Sequence, residues 1–139
     1  MKTSFFAILF ILFHSNFGFA ECMVDPYHHT TTCGAGACAY DDYHHVVQCS
    51  QTRYGACMVD PYHHTTTCGA GACAYDDYHH QVTCAETKGG SCMVDPYHHT
   101  TTCGAGDCAY DDYHHVVQCS QMPYGGCAYD DYHHQITCQ

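Results

Sequence analysis

Hydrophobic positions along the chain follow two regimes. Phe5 to Phe13 (FFAILFILF) is an unbroken apolar run, and nothing like it recurs after Ala20. From Glu21 onward, apolar residues come in short groups (Met-Val, Ala-Tyr, Val-Val) set among Thr, Gln, Asp and His. The runs MV and TTT, or AY and VVQ, are short and β-favouring, and Asp-Pro or Asp-Asp between them supplies turn chemistry. No window carries a sustained apolar stripe of helical period, so little helix is expected. The pattern predicts short β-hairpins, with further turns at the Gly-Ala-Gly linkers and the Tyr-Gly or Gly-Gly spacers.

These hairpins are copies of one another. The unit is Cys-x5-His-His-x3-Cys, and it occurs seven times. A first type, CMVDPYHHTTTC, stands at 22–33, 57–68 and 92–103. A second type, CAYDDYHH followed by three residues and Cys, stands at 38–49, 73–84, 108–119 and 127–138. GAGA or GAGD joins the two within a pair, and seven residues separate pairs, giving a period of 35. Multiplication of this kind builds multivalent or polymer-like proteins rather than one active site. The expected fold class is a small disulfide-rich repeat protein, with short β-hairpin loops in a solenoid-like stack or a loosely ordered string.

The apolar run sits in a recognisable frame. Lys2 precedes it, and Gly18 and Ala20 place small side chains at −3 and −1 of a cleavage site, so residues 1–20 read as a secretory signal peptide. Nine apolar residues fall well short of the ~20 a spanning helix needs, which disfavours a membrane anchor. The mature region is then 21–139, secreted and extracellular, where paired cysteines persist.

Composition narrows the function classes. All six Phe lie within the first 20 residues, and all 14 Cys and 13 Tyr lie after them. Residues 21–139 have no Phe, Trp or Leu, too little apolar mass for a conventional core, and their cysteine content marks a cross-linked scaffold. A catalytic domain is not expected, because an activated nucleophile needs a preorganised pocket and an oriented base. The formal charge is −11, and one unit more negative without Lys2. That excludes the basic footprint of a nucleic-acid binder and disfavours an anionic membrane surface.

The cysteines allow more than one pairing. Closure within each unit gives Cys22–Cys33, Cys38–Cys49, Cys57–Cys68, Cys73–Cys84, Cys92–Cys103, Cys108–Cys119 and Cys127–Cys138. This is favoured because the ten-residue interval is the same in both unit types, and the last unit keeps it without its usual companion. Pairing across the linkers, such as Cys33 with Cys38, is the alternative. A second chemistry treats each unit as a Cys2His2 zinc site, although adjacent histidines on an extended chain point to opposite faces. If the cysteines are paired, the imidazoles remain as ligands for Zn or Cu: His28, His29, His44, His45, His63, His64, His79, His80, His98, His99, His114, His115, His133 and His134. No cofactor is required by the sequence.

Eleven of the tyrosines lie inside units, directly before His-His or two residues after the first Cys. With Asp, His and Gly as neighbours, their rings are expected to be largely exposed. Oxidised to quinones, they would be open to attack by thiols and imidazoles.

The secretory leader, the Asp-bearing repeats rich in Tyr, His and Cys, and the AYDDYHH unit resemble secreted precursors of tanned extracellular structures. Examples are the female-specific vitelline and eggshell proteins of schistosomes and other trematodes, and the adhesive proteins of marine invertebrates. The likeness is one of composition, and this chain has less Gly and more regular Cys than most eggshell proteins. The resemblance implies hydroxylation by a tyrosinase-type oxidase, with Tyr40, Tyr43, Tyr75, Tyr78, Tyr110, Tyr113, Tyr129 and Tyr132 as cross-link candidates. Self-association and other matrix proteins are the implied partners. The expected function is a secreted structural precursor of a cross-linked matrix. The alternatives are a secreted His/Cys-rich metal-binding protein (Zn or Cu) and a disulfide-rich effector.

Overall fold

Antiparallel pairing of the two halves of a twelve-residue unit in register sets its terminal cysteines opposite each other, and every unit does this. A computed structural model describes residues 20–139; the leader expected at residues 1–20 lies, apart from Ala20, outside the described residues. The strands are β1 (Glu21–Val24), β2 (Thr31–Gly34), β3 (Cys38–Asp41), β4 (Val46–Cys49), β5 (Cys57–Val59), β6 (Thr66–Cys68) and β7 (Cys73–Asp76). They continue as β8 (Gln81–Cys84), β9 (Cys92–Asp95), β10 (Thr100–Cys103), β11 (Cys108–Asp111), β12 (Val116–Cys119), β13 (Cys127–Asp130) and β14 (Gln135–Cys138). Consecutive strands pair into seven separate two-stranded antiparallel sheets. In each, the two cysteines are direct cross-strand partners, as Cys38 is with Cys49 in β3–β4. All seven disulfides close within their own units. Among the described residues there is no helix.

The fourth residue of every unit, an aspartate, organises the turn. In the first unit the Asp25 N–H donates to Thr30 O (2.8 Å), and the His29 N–H donates to Asp25 O (2.9 Å). Asp25 Oδ1 accepts from the Tyr27 N–H at 2.8 Å, an Asx-turn that bends the chain at Pro26. The loop closes through a left-handed residue, and in all seven units that residue is the second histidine, with φ between 52° and 56°. Histidine is among the few side chains enriched in that conformation.

Neighbouring hairpins do not merge into one sheet. Their linkers form a backbone spine, in which the N–H of Ala37 donates to Gly55 O (2.9 Å), Ala56 to Gly71 O (3.1 Å) and Ala72 to Gly90 O (2.8 Å). The N–H groups of Ser91 and Asp107 continue the column to Gly106 O (3.2 Å) and Gly125 O (2.8 Å). The spine requires glycine: a Cβ on Gly36 would collide with the Gly55 carbonyl, and one on Gly34 would lie 2.5 Å from the Cys49 Cβ.

The buried apolar residues are few and short, half-cystines among them, with no large aliphatic core. Cys49 and Cys119 are buried, together with Val47 and Ala85. The bridges of the second-type units that follow a first-type unit rest on it, with Cys49 Sγ 3.6 Å from Thr32 O, Cys84 Sγ 3.5 Å from Thr67 O and Cys119 Sγ 3.5 Å from Thr102 O. Of the two arrangements the sequence left open, the structure is the ordered stack.

Candidate functional site

Stacking brings the seven hairpin tips into one column of Asp, Tyr and His. The first histidine of each unit turns back to its own aspartate: His28 Nδ1–H donates to Asp25 Oδ2 at 2.6 Å, and the same contact recurs down to His133 and Asp130. In six units the next hairpin covers the aspartate, leaving it 2–4% exposed. In the last described unit the Asp130 side chain is 51% exposed. Burial works against ionisation of Asp41, but hydrogen bonds from His44 and the Tyr43 N–H outweigh it and hold the carboxyl below its ordinary range. At Asp111 the same opposition, with the His114 N–H donating as well, ends at about 2.

The sixth residue of each unit, a tyrosine, lies flat on the second histidine of the next unit. Tyr27 stacks on His45 with ring centroids 4.0 Å apart and planes 7° apart, and Tyr62 on His80 at 4.1 Å and 10°. Tyr43 on His64, Tyr78 on His99, Tyr97 on His115 and Tyr113 on His134 complete six contacts. The outer faces of these tyrosines stay open, at 64–68% exposure, and Tyr132 reaches 86%.

A second tyrosine, at position three of the second-type units, behaves differently. The hydroxyls of Tyr40, Tyr75, Tyr110 and Tyr129 lie 2.8–3.1 Å from Nδ1 of His45, His80, His115 and His134. These four rings are half-buried. Burial raises the Tyr40 phenol above its ordinary value, and the Asp25 carboxylate of the preceding unit adds to the shift. Asp60 and Asp95 do the same for Tyr75 and Tyr110. Tyr129 is raised further, by burial and by the carboxylates of Asp112, to which its hydroxyl donates, and Asp111. The eight cross-link candidates therefore divide. Tyr43, Tyr78, Tyr113 and Tyr132 are exposed, whereas Tyr40, Tyr75, Tyr110 and Tyr129 correct the expectation of largely exposed rings. Tyr27, Tyr62 and Tyr97, outside that set, are as exposed as the first group.

The fourteen histidines do not form seven chelating pairs. Within a pair, one imidazole is bonded to aspartate, and in six of the seven the other lies beneath a tyrosine of the preceding unit. There is no free thiolate among the described residues to join them, since all 14 cysteines are in disulfides. Two of the stacked second histidines, His64 and His99, also lie near carboxylates of the preceding unit, with Nδ1 3.6 Å from Asp41 Oδ1 and Asp76 Oδ1. Their units carry Val rather than Tyr at position three, as does the first unit, whose His29 has no preceding unit to lie against. No helix among the described residues is long and apolar enough to cross a membrane. No protein-family model, curated protein or solved structure matches this chain.

Proposed function

We propose that this chain is a secreted, repetitive structural protein, the precursor of a cross-linked extracellular material. The observation that carries the reading is the open column of Tyr27, Tyr43, Tyr62, Tyr78, Tyr97, Tyr113 and Tyr132, one phenol per unit at a fixed position. Seven intrachain disulfides fit an oxidising, extracellular setting. A stack of hairpins carrying one reactive group at the same position of every unit is a multivalent monomer, so few bonds per molecule suffice to form a network.

The chemistry is that of tanning. A tyrosinase-type oxidase with O2 converts an exposed phenol to an o-quinone and releases water. The Nε2 lone pair of a histidine on another copy then adds to a ring carbon; that carbon's hydrogen and the imidazole's Nδ1 proton, carried by solvent, end on the two quinone oxygens, and a catechol–histidine bond remains. The first histidines are placed for this, being 53–64% exposed with Nδ1 held by aspartate, which leaves Nε2 for the reaction. The cysteines are occupied in disulfides, so imidazole rather than thiol is the nucleophile. Treatment of the oxidised protein with tyrosinase and O2 should give multimers that survive reduction and boiling, with adducts mapped to the exposed tyrosine column. Protein that stays monomeric while those tyrosines are demonstrably oxidised would refute this function.

A further inference from the structure

Every second histidine in a second-type unit finds a partner for its Nδ1 in the hydroxyl of its own unit's position-three tyrosine. First-type units carry valine there, and Val59 and Val94 offer no hydroxyl. His64 Nδ1 and His99 Nδ1 are the two buried side-chain polar atoms, among the described residues, with no hydrogen-bond partner. Such an atom is costly unless something satisfies it. Each faces acceptors: Asp41 and Asp42 around His64, and Asp76 and Asp77 around His99, with the donor atoms of each trio within 4.8 Å of one another.

A third junction shows what this spot accommodates. Where the unit at 127–138 follows another second-type unit, the Tyr129 hydroxyl reaches across to the equivalent aspartates. It donates to Asp112 Oδ1 at 3.1 Å and lies 2.8 Å from His134 Nδ1. There the chain itself supplies one polar atom between imidazole and carboxylate. Around His64 and His99 it supplies none, and the surroundings are acceptors. Two carboxylates bring charge −2, and Asp41 Oδ1 already uses the Tyr43 N–H at 3.0 Å. The ion pairs of the described residues all involve histidine, so no Lys or Arg neutralises the pair. A neutral imidazole with two carboxylates is a donor set for a borderline divalent ion. Bonds of about 2.0–2.2 Å from one ion place its ligand atoms roughly 3–4 Å apart, which matches the 3.6 Å between His64 Nδ1 and Asp41 Oδ1.

We propose two divalent-cation sites of the zinc class, Asp41–Asp42–His64 and Asp76–Asp77–His99, each where a first-type unit stacks on a second-type unit. Three protein ligands leave a coordination position for water or for a group from another molecule. The sites use no cysteine and one histidine each, so the stoichiometry is two, not seven. The proposal does not depend on the cross-linking chemistry above.

The test is Zn2+ titration of the full, oxidised chain at neutral pH, followed by calorimetry and by NMR of the imidazole nitrogens. Two ions should bind per chain, and the His64 and His99 nitrogens should move while those of His45, His80, His115 and His134 stay. The variant V59Y/V94Y, which places a hydroxyl as Tyr129 does, should lose both sites. D42N/D77N, at exposed positions that leave the hairpins intact, should bind at least about tenfold more weakly, as expected when a ligand is removed. Absence of saturable binding overturns the proposal, and is the result expected if protonated His64 and His99 simply pair with the aspartates. A count that follows the seven His-His pairs, or binding indifferent to both variants, overturns it too.

Discussion

Replacing Cys73 and Cys84 with alanine removes one bridge from the middle of the stack, and the cost can be worked from the geometry. Each disulfide spans a sequence separation of 11, and no loop encloses another. The chain-entropy relation then gives about 3 kcal/mol at 25 °C for every unit, because all the loops have the same size. What differs is the folded side. Cys84 packs over the preceding unit, with Sγ 3.5 Å from Thr67 O and Cβ against Gly69. Losing its sulfur leaves a defect between hairpins worth roughly 1 kcal/mol more, on the scale of a small core truncation. Cys138 is exposed, so C127A/C138A should cost only the entropic part. The central variant should also loosen both neighbours, since its unit carries the Tyr62–His80 stack on one side and the Tyr78–His99 stack on the other. Urea titration with the other six bridges oxidised, read by hydrogen exchange unit by unit, measures both effects. A central cost below about 1 kcal/mol, or one no larger than the terminal cost, would refute the reasoning about loop entropy and stacking.

Acid should unfold the stack in a narrow window. An aspartate titrates near about 3.9 in an unfolded chain, while folding holds Asp111 at about 2. The folded carboxylate therefore binds its proton less readily, and its stabilisation is complete above roughly pH 4 and lost as pH falls through about 2; denaturant midpoints at pH 5, 3 and 2 should decline in that order. Alkaline titration of phenolate absorbance should resolve two classes, with Tyr40, Tyr75, Tyr110 and Tyr129 ionising after the rest, because burial and nearby aspartates raise them. A single step near the reference value of about 10 would contradict that division. Finally, Tyr78→Ala and His99→Asn in a double-mutant cycle should show about 1 kcal/mol of coupling from the stacked rings, with Asn chosen because it tolerates the left-handed backbone at His99. Additive losses would mean the contact carries no stability.

The hairpins and their disulfides were legible in the sequence because both are local. A ten-residue interval between cysteines, kept in two different unit types, and turn residues midway between β-favouring runs concern only neighbours along the chain. Periodicity likewise showed that the unit is multiplied. What the sequence could not carry is contact between residues 18 to 21 positions apart, where Tyr27 meets His45 and Tyr43 meets His64. Hydropathy marks every fourth-position aspartate as a solvated acid, yet six are covered and Asp130 is not, the difference being whether a described hairpin stacks on it. The same holds for the tyrosines, whose repeated environments look alike in one dimension but divide into an open column and a half-buried, histidine-bonded set. Seven His-His pairs read as seven equivalent ligands, whereas among the described residues the tertiary structure leaves only His64 and His99 with a buried nitrogen unpaired. Valine in place of tyrosine at one position makes that difference, and its effect appears only once one unit lies on the next.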